Sequence, residues 1–430
     1  MFSRSRRSNL AGWVIPMSYA VTAVVAGLTL PRIEHRLLPG LTSSVSPTAA
    51  MAIYSSIGSG MIAFSGIVFS LAFVMVQFSA TAYSPRLVLW IARDPVLYHA
   101  IGIFTATFLY ALAALAWVDR DSSGKVPFIT AWLVIALLFA SVAIFVALIQ
   151  RMSLLQINRM LTFTGDQGRR VIELMYPPLE TAAVTAEPAE FVNHPVSQIL
   201  MHKGRPQAIQ SVDAPNLAAL ATVSGAIVEM TLAVGDTAVE GIPLLRVLGG
   251  KQVISEQALR ESIQLGDERT LEQDPKYALR LLVDIAIKAL SPAVNDPTTA
   301  VQALDQIEDL LLRLGRRRLE VGVIRDSSGG LRLIIPHPKW EDFVVLAFDE
   351  IRFCGATSVQ VMRRMKALIG DLISVLPDER QEAVRHFQER LDSTILRSFA
   401  DAEEKLEASV EDRQGLGMPR SRRTGGLPPG

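Results

Sequence analysis

Cysteine is almost absent from the 430 residues: Cys354 stands alone, so no intramolecular disulfide and no cysteine-based metal cage can form. Net charge is absent as well. Lys plus Arg and Asp plus Glu number 42 each, which gives no electrostatic case for nucleic-acid binding. Enzyme signatures are missing too: there is no Gly-x-Ser-x-Gly elbow, Walker loop, Rossmann fingerprint or His-Glu-x-x-His. None of the six histidines pairs at the spacing of a metal site. No catalytic residue, metal or cofactor is therefore expected. Charge is also lacking locally. From Met51 to Pro85 no Asp, Glu, Lys or Arg occurs over 35 consecutive positions, and the centre reads IAFSGIVFSLAFVMVQFSA. A helix needs about 20 apolar residues to cross a hydrocarbon slab, so this stretch crosses with length to spare.

Three further uncharged runs flank it. The spacing predicts spans over about 12–31, 55–80, 97–118 and 126–149, making residues 11–150 a four-helix transmembrane domain after a short N-terminus, 1–10. Arg4, Arg6 and Arg7 precede an apolar run too long for a signal-peptide core, so the first span is expected to stay uncleaved. Four spans put both termini on one side. With the N-terminus inside, the inner flanks carry Arg4, Arg6, Arg7, Arg86, Arg93, Arg151 and Arg159, against Arg32, Arg36, Arg120 and Lys125 outside. Basic residues favour the cytoplasmic side, so the termini and the soluble half are expected there. No Asp, Glu, Lys or Arg falls inside any of these spans, which argues against a transporter driven by an intramembrane ionisable group.

The remainder reads as a cytoplasmic α+β domain. Residues 151–180 continue from the fourth span as a connecting helix with apolar residues at near-helical spacing, ended by Pro177-Pro178. The Ala/Glu/Pro-rich link 181–195 is loose. A small β-rich module follows at 196–254, then a helical region at 255–410 carrying a β-hairpin at 319–335, and a disordered tail at 411–430. Ser224 to Val247 resembles half of a biotinyl/lipoyl-type barrel, which would set Lys251 at the modified position. Turn chemistry accounts for those glycines without a cofactor.

Two groups of residues stand out as candidate sites. In the second span Ser65, Ser70 and Gln77 interrupt an apolar helix that also carries the small pairs Ser56/Gly60 and Gly66/Ser70. They are either a packing face or a pore-lining face in a homo-oligomer. In the soluble half, DIAIKALSPAVNDPTTA spans Asp284 to Ala300. Asp284 and Lys288 lie one turn apart and can pair. Asp296 before Pro297 is the chemistry of a helix start. Ser291, Asn295, Asp296, Thr298 and Thr299 thus form either a structural cap or a ligand loop at that positive helix end. Arg269 to Asp274 reads as a similar entry into the preceding helix.

The motif DIAIKALSPAVNDPTTAVQALDQI, with RTLEQD before it, FDEIRFCGATS at Phe348 to Ser358, YSPR at Tyr83 to Arg86 and GIFTATFLYAL at Gly102 to Leu112, resembles the DUF2254 family of bacterial membrane proteins. The resemblance runs from about Asn9 to Phe399. It implies architecture, a multi-pass protein of the bacterial inner membrane, and brings no agreed activity. Two functions fit. One is a homo-oligomeric, channel-like assembly gated by its cytoplasmic domain. The other is a membrane-anchored scaffold or sensor whose cytoplasmic domain binds a partner or small ligand. The lipid bilayer is the partner both require.

Overall fold

The computed structural model describes residues 13–38, 40, 43–82, 95–118, 126–152, 157–180 and 194–417. They fall into two compact units that divide at Ile157.

The first unit holds four apolar helices long enough to cross a membrane. These are α1 (Val14–Leu37), α2 (Pro47–Ala82), α3 (Pro95–Leu115) and α4 (Phe128–Met152). The third helix is the hub, packed by each of the other three. Small residues make this possible. A Cβ on Gly102 would stand 2.6 Å from the Tyr19 ring of α1, and one on Gly27 would stand 2.5 Å from Ala113. Polar side chains also bond across the described helices. Thr107 and Ser141, both buried, share a hydrogen bond of 2.9 Å between α3 and α4, and Tyr19 meets His99 at 3.2 Å between α1 and α3.

Helix ends differ from the sequence reading in two places. The first span was expected to close at Pro31, yet α1 runs through that proline to Leu37. Its last turns are held from outside: Arg32 lies 5.5 Å over the Trp117 ring, and Glu34 is bonded to the start of α4. Glu34, three residues beyond the predicted first span, is thus an ionisable residue buried in the helical bundle. The second span starts eight residues early, at Pro47 after Ser46, whose hydroxyl accepts from Ala49 N at 3.3 Å. At 36 residues, α2 is about 54 Å long at 1.5 Å per residue. That exceeds a hydrocarbon core of about 30 Å.

The second unit is a mixed helix and sheet domain. It opens with α5 (Ile157–Met175); the junction expected to join this helix to the fourth span, 153–156, and the link 181–193 lie outside the described residues. Strands β1 (Val196–Met201), β3 (Ala226–Met230), β5 (Pro243–Gly249), β7 (Val323–Arg325) and β8 (Leu331–Ile334) form one sheet in the order β1-β5-β3-β8-β7. Strands β2 (Gln207–Val212), β4 (Thr237–Ala238) and β6 (Ile263–Gly266) form a second, ordered β4-β2-β6. Helices α6 (Ala214–Ser224) and α7 (Glu256–Glu261) accompany these strands, and Leu217, Ile209, Val228 and Leu245 are central to their shared core.

Two sequence expectations change here. The hairpin at 319–335 is not an appendage of the helical region: β8 pairs in parallel with β3, Val228 opposite Leu333, and completes the sheet of the β-rich module. The biotinyl-like stretch is split, with β3 and β5 in the large sheet and β4 in the small one.

The helical layer comprises α8 (Pro275–Ala289), α9 (Pro297–Gly315), α10 (Trp340–Cys354), α11 (Val359–Val375), α12 (Asp378–Ser398) and α13 (Ala402–Ser409). Helix α8 is buried along most of its length and is flanked by α9 and α10. The tail expected to be disordered from 411 is ordered as far as Gly417. Asp412 is buried, and Arg413 forks onto Asp371 of α11 with two bonds of 2.9 Å. Residues 418–430 lie outside the described set.

Candidate functional site

The most distinctive motif builds the turn between α8 and α9. Ser291 Oγ donates to Lys288 O at 2.7 Å and closes the last turn of α8. The chain then folds back, with Asn295 N on Ser291 O at 2.8 Å and Asp296 N on Ala289 O at 2.8 Å. This reversal puts Asn295 at φ 49°, the left-handed region that Asn tolerates better than most residues. Asp296 then caps α9. Its Oδ1 accepts from Thr299 N at 3.1 Å and its Oδ2 from Thr299 Oγ1 at 2.6 Å. Thr299 is buried beneath the cap, whereas Pro292, Ala293, Val294, Asn295 and Thr298 are exposed. The motif thus joins a bonded carboxylate to an exposed tip. Asp284, a turn earlier, accepts from Arg280 Nε at 2.7 Å, and Arg280 reaches across to Glu350 of α10.

Asp274 performs the same task for α8. It accepts from Tyr277 N at 2.9 Å and from Arg269 Nη2 at 2.6 Å, with Arg269 lying 5.0 Å over the Tyr277 ring. Burial pushes the Asp274 carboxyl above its ordinary value, and the Arg269 guanidinium opposes that shift.

Replacing Asp296 with Ala removes one N-cap, a change of about 1 kcal/mol. The expected result is a melting temperature lower by about 3 °C. A larger loss of partner binding at unchanged melting would instead identify the tip as a binding surface.

In the membrane unit, the second candidate group lies on α2. Ser65 is half-buried and donates to Met61 O of its own helix at 2.9 Å, as Ser59 does to Ser55 O. Ser70 and Gln77 are exposed on the single chain. With Ser55, Ser59, Ala63 and Gly66 they fall within about 80° of arc at 3.6 residues per turn, an outward-facing stripe that also carries exposed Phe73, while half-buried Ser65 lies off it.

Glu34 was missed by the sequence reading. It is 3% exposed and accepts from Ile129 N at 2.8 Å, Thr130 N at 3.2 Å and Thr130 Oγ1 at 3.1 Å. A signal was present in the other partner. The span opening Val126-Pro127-Phe128 carries no Ser, Thr, Asp or Asn at its start, so its free N–H groups need a cap from elsewhere in the chain. Among the described residues no group of three His, Cys, Asp or Glu is placed to hold a metal ion.

Four apolar membrane-length helices followed by a mixed helix and sheet domain define a multi-pass membrane protein with a substantial domain outside the lipid. The chain belongs to the family described as "Predicted membrane protein (DUF2254)", whose model matches residues 10–371. Its relatives include an uncharacterised protein of Mycobacterium bovis and one of Mycobacterium tuberculosis. Each is 28% identical over 409 residues, covering 92% of this chain and 78% of the relative. No solved structure is significantly similar to the chain.

Proposed function

We propose that the protein is a non-enzymatic, homo-oligomeric, channel-like assembly of the bacterial inner membrane, with α2 at the shared axis. The observation that carries this reading is the outward stripe Ser55, Ser59, Ala63, Gly66, Ser70 and Gln77, small and polar except for Phe73 within the same arc. Lipid gives an outward-facing row of small and polar side chains no packing partner. Copies of the same face gain close backbone contact and hydrogen bonds. The uncharged character of that row suits a passive path rather than a coupled one. The excess of basic residues on one set of flanks supports cytoplasmic termini and a cytoplasmic α/β domain. That domain is then placed to gate the path.

A scaffold or sensor is the second reading, favoured by the exposed tip Pro292 to Asn295. Native mass spectrometry of the full chain in mild detergent separates the two at the first step. A single closed ring size supports the channel-like assembly; a monomer ends it and leaves the scaffold. Ser70→Leu and Gln77→Leu are then expected to reduce unitary conductance in planar bilayers without changing ring size. Unchanged conductance would remove α2 from the path.

A further inference from the structure

One end of the helical layer gathers loops that carry almost no charge. Helix α5 runs parallel to α9: Arg169 donates to Asp309 at 2.7 Å, Arg313 to Glu173 at 3.0 Å and Arg317 to Tyr176 O at 3.0 Å. Each pair is 140 or 141 residues apart in sequence, which sets Ile157, where α5 begins, level with Pro297 and the turn before it. Helix α10 starts at the opposite end, where the Phe343 ring meets Tyr176 at 6.4 Å, so it finishes at this one, with Phe353 79% exposed. Between Ala289 and Leu304 the only charge is Asp296, whose carboxylate is taken up by Thr299, and from Phe353 to Met362 there is none. The exposed carboxylates of α13, which packs on α11 and α12, mark a flank of this end. The opposite end is different. Leu174 and Val375 are exposed there, each within three residues of an exposed carboxylate, Glu173 or Asp378, and Glu180, Glu320 and Glu379 add to these.

Where α5 begins decides what meets this end. Met152 closes α4, a helix of membrane length, and Ile157 opens α5, five Cα steps later. Five steps reach at most about 18 Å. Whatever course residues 153–156 take, the bilayer is therefore the phase nearest to the start of α5. The turn beside that start suits lipid. Val294 N and Asn295 N donate to Ser291 O at 3.0 and 2.8 Å, Asp296 N donates to Ala289 O at 2.8 Å, and Pro292 has no N–H to satisfy. Backbone that carries its own hydrogen bonds can leave water with little loss. Pro292, Ala293 and Val294 present apolar side chains on the crest, Val294 being 44% exposed. We propose that the turn Pro292–Asn295 is a lipid contact, resting in the headgroup and acyl boundary of the bilayer that the same chain spans. The contact is apolar, because no unpaired charge lies on the crest to recruit anionic headgroups. It needs only one copy of the chain, so it stands or falls independently of the proposed ring, and it assigns the exposed tip to lipid rather than to a protein partner.

Nitroxide labelling of the full-length protein in phosphatidylcholine nanodiscs tests this. Cys354, the lone cysteine, is replaced by Ser, and either Val294→Cys or Val375→Cys supplies the thiol. Both positions are exposed, so the labels leave the core intact. Oxygen concentrates among acyl chains and nickel–EDDA in water, and the ratio of their collision rates with the label reports depth. The ratio at Val294→Cys is expected to be several times that at Val375→Cys, corresponding to a depth of about 5–10 Å into the headgroup and acyl boundary. Equal ratios at the two positions would overturn the proposal. Low collision rates with both reagents at Val294→Cys would reveal a cover of protein and overturn it as well. Exchanging phosphatidylcholine for anionic phosphatidylglycerol should leave the Val294→Cys ratio unchanged. A depth that appears only with the anionic lipid would assign the contact to basic side chains and refute an apolar one.

Discussion

Replacing Arg364 with Ala is expected to destabilise the soluble domain by about 4 kcal/mol, lowering its melting temperature by roughly 10 °C. Arg364 projects from α11 and is 3% exposed, with Nε on Asp305 of α9 at 2.9 Å and Nη2 closer still on Glu308. The native pair contributes little net stability, because desolvating both charges offsets most of their attraction. Truncating one partner is different: Glu308 would keep the desolvation and lose the compensation. Burial already pushes the Glu308 carboxyl above its ordinary value, and the Arg364 guanidinium is the main group pulling it back. Losing Arg364 raises it further. A carboxyl whose folded value lies above its unfolded value favours the fold at acid pH, and that contribution fades as pH rises through the folded value. The gap between wild type and Arg364→Ala should therefore narrow from about pH 7.5 to about pH 5 as Glu308 takes up a proton. Thermal melts at both pH values check this. A pH-independent gap would mean that packing, not charge, accounts for the loss.

Gly168→Leu is expected to cost about 3 kcal/mol and to release α5 from the helical layer. A Cβ at Gly168 would stand 2.8 Å from Leu310 Cδ1 of α9 and 3.2 Å from Ala278 Cβ of α8. Ala278 cannot move without its helix, so a leucine forces the crossing apart. Gly168→Ala is the control. Leu310 can turn its methyls aside, and the gain of about 1 kcal/mol for replacing a helical glycine offsets the crowding. The alanine variant should melt within about 2 °C of wild type. Limited proteolysis should cut Gly168→Leu within Ile157–Met175 and spare Gly168→Ala. Equal protection of both would show that the α5 crossing is looser than its geometry implies.

How legible these features were depends on how far apart their partners stand. The spans could be read because a missing charge is a property of each segment alone. The helix starts at Asp274-Pro275 and Asp296-Pro297 are likewise written in neighbouring residues. The pairing of β3 with β8 could not be read, since α8 and α9 intervene and nothing in either strand names the other. Glu34 looked like one charge among Arg32 and Arg36 in a loop after Pro31. Only the uncapped start of α4 makes it part of a helix. Arg364, Glu308 and Asp371 fall at polar positions of amphipathic helices, and a heptad-scale pattern does not tell a solvated charge from a buried one. The start of the tail, 411–417, was misjudged for a related reason. Its glycines and arginines have the composition of disorder, while Asp412 and Arg413 find bonds that only the folded domain provides.

That docked tail sets a practical boundary for anyone cutting or tagging the protein. Asp412 accepts from Gln414 N at 3.0 Å and Gly417 N at 2.6 Å, folding the segment into a knot beside α11. A chain ended after Ser409 would discard Arg413 and its two bonds to the Asp371 carboxylate, whose side chain is only 7% exposed. An affinity handle belongs beyond Gly417.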